Sequence, residues 1–69
     1  MNWTAIAKDG IAKVGYEEGS EILDIEFVSG KIFEFYNVSA ENFDLFMKAP
    51  HKDTYYEINI ARCPYRRLE

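Results

Sequence analysis

Glu21-Ile22-Leu23-Asp24-Ile25-Glu26-Phe27-Val28-Ser29-Gly30-Lys31-Ile32-Phe33-Glu34-Phe35-Tyr36-Asn37-Val38 alternates apolar and polar residues on both sides of Ser29-Gly30, the pattern of a β-hairpin. Parity sets the register. Leu23, Ile25 and Phe27 share one face of the first arm, and Phe33 and Phe35 share one face of the second. A two-residue Ser29-Gly30 loop would set Glu26 beside Phe33 and Asp24 beside Phe35, because a one-residue slip inverts every side chain. A three-residue loop, Val28-Ser29-Gly30, opposes Ile25 to Phe33 and Leu23 to Phe35 instead. It also places Gly30 at the left-handed position of a type I turn with a G1 bulge, where a Cβ is strained. The three-residue loop is the expected one, with the rings of Phe33 and Phe35 turned inward.

The other face of this ribbon carries Ile22, Asp24, Glu26, Ile32, Glu34 and Tyr36. Half of it is polar, and it reads as the solvent side. Asp24, Glu26 and Glu34 then sit close together as like charges, each opposed pair costing up to about 1 kcal/mol. A cation site is the rival reading of this trio. A flat sheet surface does not wrap an ion with oxygens, so a solvated face is expected.

Outward from the hairpin, Asp9-Gly10 separates two partly apolar runs and predicts a second tight turn. Pairing across it aligns Ala7 with Ala12 and Ala5 with Val14, and puts Trp3, Val14 and Tyr16 on one face. A ragged helical turn through residues 3–8 is the alternative, since Ala and Lys favour helix. Ile11 to Glu17 reads as a strand containing Gly15, and Glu17-Glu18-Gly19-Ser20 as a turn. Beyond the hairpin, Ser39 is placed to cap a helix, Glu41 sits near its positive end, and Val38 is placed to staple onto Phe43. Phe43, Phe46 and Met47 form an apolar stripe expected to cover Phe33 and Phe35, and Pro50 ends the helix. Asp53 is the expected cap of a second short helix from Thr54 to about Ala61, stopped before Pro64. Tyr65-Arg66-Arg67-Leu68 closes the chain as an edge strand or a loose tail. Leu68-Glu69 reads partly as a vector-derived end and is given little weight. The expected architecture is a single α+β domain over residues 1–69: an antiparallel β-meander of three or four strands, covered on one face by two short helices.

The chain has 69 residues, and a domain of that size buries only about 60% of its unfolded surface. The 48% hydrophobic and 16% aromatic shares offset this and argue for a packed core. Cys63 is the only cysteine, so no intrachain disulfide forms, which suits a reducing cytoplasm. No apolar run approaches a membrane span, and no signal-peptide pattern opens the chain. The net charge of -4 disfavours a generic polyanion binder. Its distribution is uneven, however. Acidic residues load the middle, whereas Lys48, Lys52, Arg62, Arg66 and Arg67 face only Asp53 and Glu57 before the terminal residue.

Several motifs along the chain together resemble the KTSC domain family. They are Val14-Gly15-Tyr16, Leu23-x-Ile25-x-Phe27 before Gly30, the aromatic-x-aromatic pair before Asn37-Val38, Ala49, Tyr55-Tyr56, Ile60 and the closing Pro64-Tyr65-Arg66-Arg67-Leu68. The family is a short module at the carboxyl end of some lysyl-tRNA synthetases and in small stand-alone bacterial proteins. Its central Tyr-x-Tyr stands here as Phe33-Glu34-Phe35, without either hydroxyl. The family's proline after the Val38 position is Ser39. Its Ser-x-Gly-x-Tyr-Phe-Asn segment stands as His51-x-Asp53-x-Tyr55-Tyr56-Glu57, and the following Ile-Arg as Ile60-Ala61. The resemblance implies a module of uncharacterised role with RNA binding suggested by its synthetase setting.

Catalysis finds little footing. His51 is the only histidine, and nothing in the sequence places it beside Cys63. One Cys and one His fall short of a zinc set, and Gly10, Gly15, Gly19 and Gly30 do not form a phosphate cradle. No catalytic residue, metal or cofactor is expected. The candidate nucleic-acid surface is Lys48, Lys52, Tyr55, Arg62, Tyr65, Arg66 and Arg67, where arginines would neutralise phosphates and tyrosines would stack on unpaired bases of single-stranded or structured RNA. The competing reading is a protein partner, taken by an exposed strand edge or the basic end. No membrane partner is expected, and the sequence leaves the oligomeric state open.

Overall fold

The structure is a computed structural model and describes residues 3–69. Five antiparallel strands lie in chain order across one sheet: β1 (Trp3–Lys8), β2 (Ile11–Glu17), β3 (Ile22–Phe27), β4 (Ile32–Phe35) and β5 (Tyr65–Arg67). Helix α1 (Ala40–Lys48) and the short α2 (Lys52–Tyr55) connect β4 to β5, and α2 runs on into a π-helix (Tyr56–Ile60). The α+β meander is as expected, but the strand count is five rather than three or four. The fifth strand is the closing tyrosine–arginine segment. Leu68 and Glu69 extend the pairing, both donating their N–H groups to the Ile32 carbonyl at 2.7 and 3.2 Å.

The β3–β4 hairpin has the register that parity demands: Leu23 opposes Phe35, Asp24 opposes Glu34 and Ile25 opposes Phe33. Phe27 N–H donates to the Lys31 carbonyl at 2.8 Å, and Gly30 N–H closes the turn onto the Phe27 carbonyl at 2.9 Å. Gly30 has φ +95. There is open space around its missing Cβ, so only backbone strain opposes a side chain. Gly30→Ala is expected to cost about 1–2 kcal/mol, read as a lower urea midpoint at unchanged slope.

The β1–β2 turn is also where the sequence puts it, with Asp9 at φ 56 and Gly10 at φ +78. Its register is only half as expected. Lys8 pairs with Ile11, but a bulge with Ala7 at φ 53 shifts the rest by one, so Ala5 opposes Lys13, Thr4 opposes Val14 and Trp3 opposes Gly15. Trp3 therefore leaves the face of Val14 and Tyr16. Its ring lies on the open side, with Lys13 Nζ 4.8 Å from the ring centroid, a cation–π contact.

The core lies between the sheet and the helical segment. Val14, Leu23, Ile25 and Phe35 of the sheet meet Val38, Phe46 and Ile60, all at 1% exposure or less. Ser39 caps α1, its Oγ accepting from Asn42 N–H at 3.1 Å. Phe46 is the buried residue of the stripe, and Phe43 stacks on Tyr16 at 4.3 Å with the rings 8° from parallel. Tyr16 in turn donates its hydroxyl to the Val38 carbonyl at 2.6 Å. Helix α1 is thus tied toward β2. The rings that cover Phe33 and Phe35 come from Tyr56 and Tyr65 rather than from the Phe43–Met47 stripe: Phe35 lies 5.6 Å from Tyr56, and Phe33 5.7 Å from Tyr65. His51, not Asp53, precedes α2, and Asp53 lies inside its first turn. Among the described residues, no helix is long and apolar enough to cross a membrane.

Candidate functional site

Pro64 ends the helical segment, and its carbonyl accepts from Tyr36 N–H at 2.8 Å, which starts the ladder between the end of β4 and β5. The pairing sets Tyr65 opposite Phe35, Arg66 opposite Glu34 and Arg67 opposite Phe33. Strand alternation then sends Tyr65 and Arg67 to the helix-covered face and Arg66 to the open one. Tyr65 is 61% exposed. It forms the outer wall of a cleft of about 210 Å3 lined by Phe33, Phe35, Tyr56, Ala61 and Tyr65. The π-helix shapes the opposite wall. Its widened turn closes with Ala61 N–H donating to the Tyr56 carbonyl at 2.8 Å, and both of those residues line the cleft. A π-turn inside a helix is uncommon and often accompanies a functional site.

The seven expected nucleic-acid contacts do not form one surface. Arg62, Tyr65, Arg66 and Arg67 gather at the β5 end, all exposed. Arg66 is turned to the open face, 3.5 Å from Glu34 Oε1. Arg67 donates from Nε to the Glu69 carbonyl at 2.9 Å. Lys48, Lys52 and Tyr55 belong to the helical pair instead. Lys48 is 2.8 Å from Asp44, and that carboxylate holds the Lys48 amine above its usual range. The Lys52 N–H donates to Asp9 Oδ2 at 3.0 Å, pinning this end of the helices to the β1–β2 turn. Tyr55 donates its hydroxyl to Asn42 Oδ1 at 2.5 Å and lies 6.1 Å from Phe46. Its half-buried ring packs against the core. Phe33, Phe35, Tyr56 and Ala61 were not expected at a site, although the aromatic pair falls on the family's Tyr-x-Tyr positions.

The open face departs from the solvated surface expected of it. Asp24 is only 7% exposed. Burial, with help from the neighbouring Glu34 and against the pull of Arg66, raises its carboxyl to about 6. Glu34 accepts the Tyr36 hydroxyl at 2.8 Å, and Lys13 lies 3.7 Å from Glu26. Among the described residues there is no cluster of three or more His, Cys, Asp or Glu that could hold a metal ion. Burial pushes the Cys63 thiol up, with Arg62 opposing, so the thiolate a nucleophile needs is disfavoured.

The KTSC domain profile matches residues 9–65 of the chain. The crystal structure of a KTSC domain protein from Yersinia pestis aligns with a TM-score of 0.89, covering 99% of this chain and 97% of that one at 17% identity. At that identity the likeness speaks for the fold alone. No curated protein matches the sequence.

Proposed function

The chain belongs to the KTSC domain family, and we propose that this member is a small non-catalytic binding module that takes single-stranded RNA at the β5 end of its sheet. The observation that carries the reading is the exposed Tyr65 ring beside an aromatic cleft, with Arg67 on the same face of the same strand. An unpaired base offers a π-face to such a ring, and each stacked base contributes roughly 1–3 kcal/mol. Arg62 and Arg67 supply positive charge there, whereas Arg66 lies on the opposite face of the strand, 3.5 Å from Glu34. Two phosphate contacts on a single strand give a slope of log K against log salt of about −1.4. The affinity is therefore modest. A single partly buried thiol fits work in a reducing cytoplasm.

Fluorescence titration of a short single-stranded RNA at ~20 mM salt, where the screening length is roughly 20–30 Å, tests this reading. Tyr65→Ala is expected to weaken binding about 5- to 100-fold, and Arg67→Ala to flatten the salt slope by about 0.7. Absence of binding by the unaltered protein at that salt would remove RNA as the ligand. A second reading, docking of a partner protein, is favoured by β5 being an edge strand of the sheet, since an unpaired edge accepts another strand. Protein captured after nuclease treatment, with no RNA titration, would select it.

A further inference from the structure

The open face holds an arrangement that RNA binding does not require. Gly15, Asp24, Glu34 and Arg66 oppose one another in a row across β2, β3, β4 and β5. Two carboxylates thus stand directly opposite on neighbouring strands, where Cβ atoms are about 4.5–5.5 Å apart. Asp24 is 93% buried by the complement of its 7% exposure, and its Oδ1 has no hydrogen-bond partner among the described residues. The Glu34 carboxylate is better served, with the Tyr36 hydroxyl at 2.8 Å and Arg66 at 3.5 Å. Two ionised carboxylates in this position would repel one another, and a dry oxygen would be left unpaired. One proton cures both faults by making Asp24 a donor to Glu34.

We infer that Asp24 and Glu34 hold a single proton between them, and that its release to water changes the hold of the pair on Arg66 and so on the edge strand β5. With the proton in place the pair carries one negative charge against the one positive charge of Arg66. Without it the pair carries two, and the arginine is the nearest cation able to answer the second. The other groups facing the pair are Glu17 and Lys13 on β2, Glu26 on β3 and Tyr36 after β4, while β1 presents the uncharged Trp3 and Ala5. Lys13 is committed to Glu26 and to the Trp3 ring. Tyr65 and Arg67 ride on the same strand as Arg66, so the latch would set the pose of the proposed RNA site, yet it stands whether or not RNA binds.

Carbon-detected NMR of the side-chain carboxyls in the full chain, without RNA, tests the latch. Asp24 is expected to titrate with a midpoint of about 6, and the amides of Tyr65, Arg66 and Arg67 are expected to follow the same midpoint. In Glu34→Gln the Asp24 midpoint should fall below that of the parent while burial still holds it above the ordinary carboxylate value, and the β5 amides should lose the parent transition. In Arg66→Ala, a change at an exposed side chain that leaves the core untouched, the Asp24 midpoint should rise. An Asp24 midpoint near 4 in the unaltered protein, β5 amides that ignore it, or an unchanged midpoint in Arg66→Ala would each overturn the inference.

Discussion

Phe46→Ala is expected to lower the stability of the domain by about 3–5 kcal/mol, while Leu45→Ala, one residue away, changes it by no more than about 0.5 kcal/mol. The contrast follows from the face of α1. Phe46 is 0% exposed and Leu45 50% exposed. Removing the Phe46 ring forfeits its transfer free energy and leaves a cavity beside Tyr55, whose ring lies 6.1 Å away. A chain of 69 residues has a total stability on the order of 3–10 kcal/mol, so the loss is a large share of the whole. Urea denaturation of both variants provides the check. Equal effects at the two positions would mean that α1 packs by a different face.

Asp24→Asn is expected to stabilise the protein above pH 7 and to change little at pH 4. The folded-state carboxyl of Asp24 is raised from the usual 3.8 to about 6, so the folded protein binds this proton more tightly than the unfolded chain. Its contribution is fully present below about pH 4, is lost as the pH rises toward 6, and is absent beyond that. At full strength the linked loss is about 3 kcal/mol, and solvent reaching the rim of the open face around Arg66 reduces it to about 1–2 kcal/mol. Asparagine keeps the shape and donates an N–H to Glu34 at every pH. Denaturation midpoints at several pH values should therefore fall between pH 4 and 6 for the parent and stay flat across that range for the variant. A variant less stable than the parent at pH 7 would show that Asp24 serves the fold as an ionised group.

Local chemistry was legible in the sequence wherever a few neighbouring residues suffice to decide it. The Val28-Ser29-Gly30 loop and the facing of Phe35 by Leu23 follow from alternation and one glycine. The Ser39 cap and the buried Phe46 follow from a cap residue and a helical period. The Asp9-Gly10 turn was equally plain. What lay beside it was not, because the bulge at Ala7 has no sequence mark and moves Trp3 to the opposite face. The π-turn at Tyr56–Ile60 was also hidden, since its residues read as an ordinary helix. That turn brings Tyr56 and Ala61 to the cleft, so the cleft itself could not be assembled from the sequence.

By itself, then, the sequence determined an antiparallel sheet with an apolar and a half-polar face, a capped helix, and a basic, tyrosine-bearing end. The tertiary structure alone decided that this end is a fifth strand, that alternation splits Tyr65 and Arg67 from Arg66, and that Lys48, Lys52 and Tyr55 lie on the helical pair, away from β5. It alone also buried Asp24. The physical reason is the same in each case. Backbone periodicity and turn preference act over a few residues and can be read in order, whereas burial and charge pairing depend on groups from strands far apart in the chain that meet only when the sheet is complete.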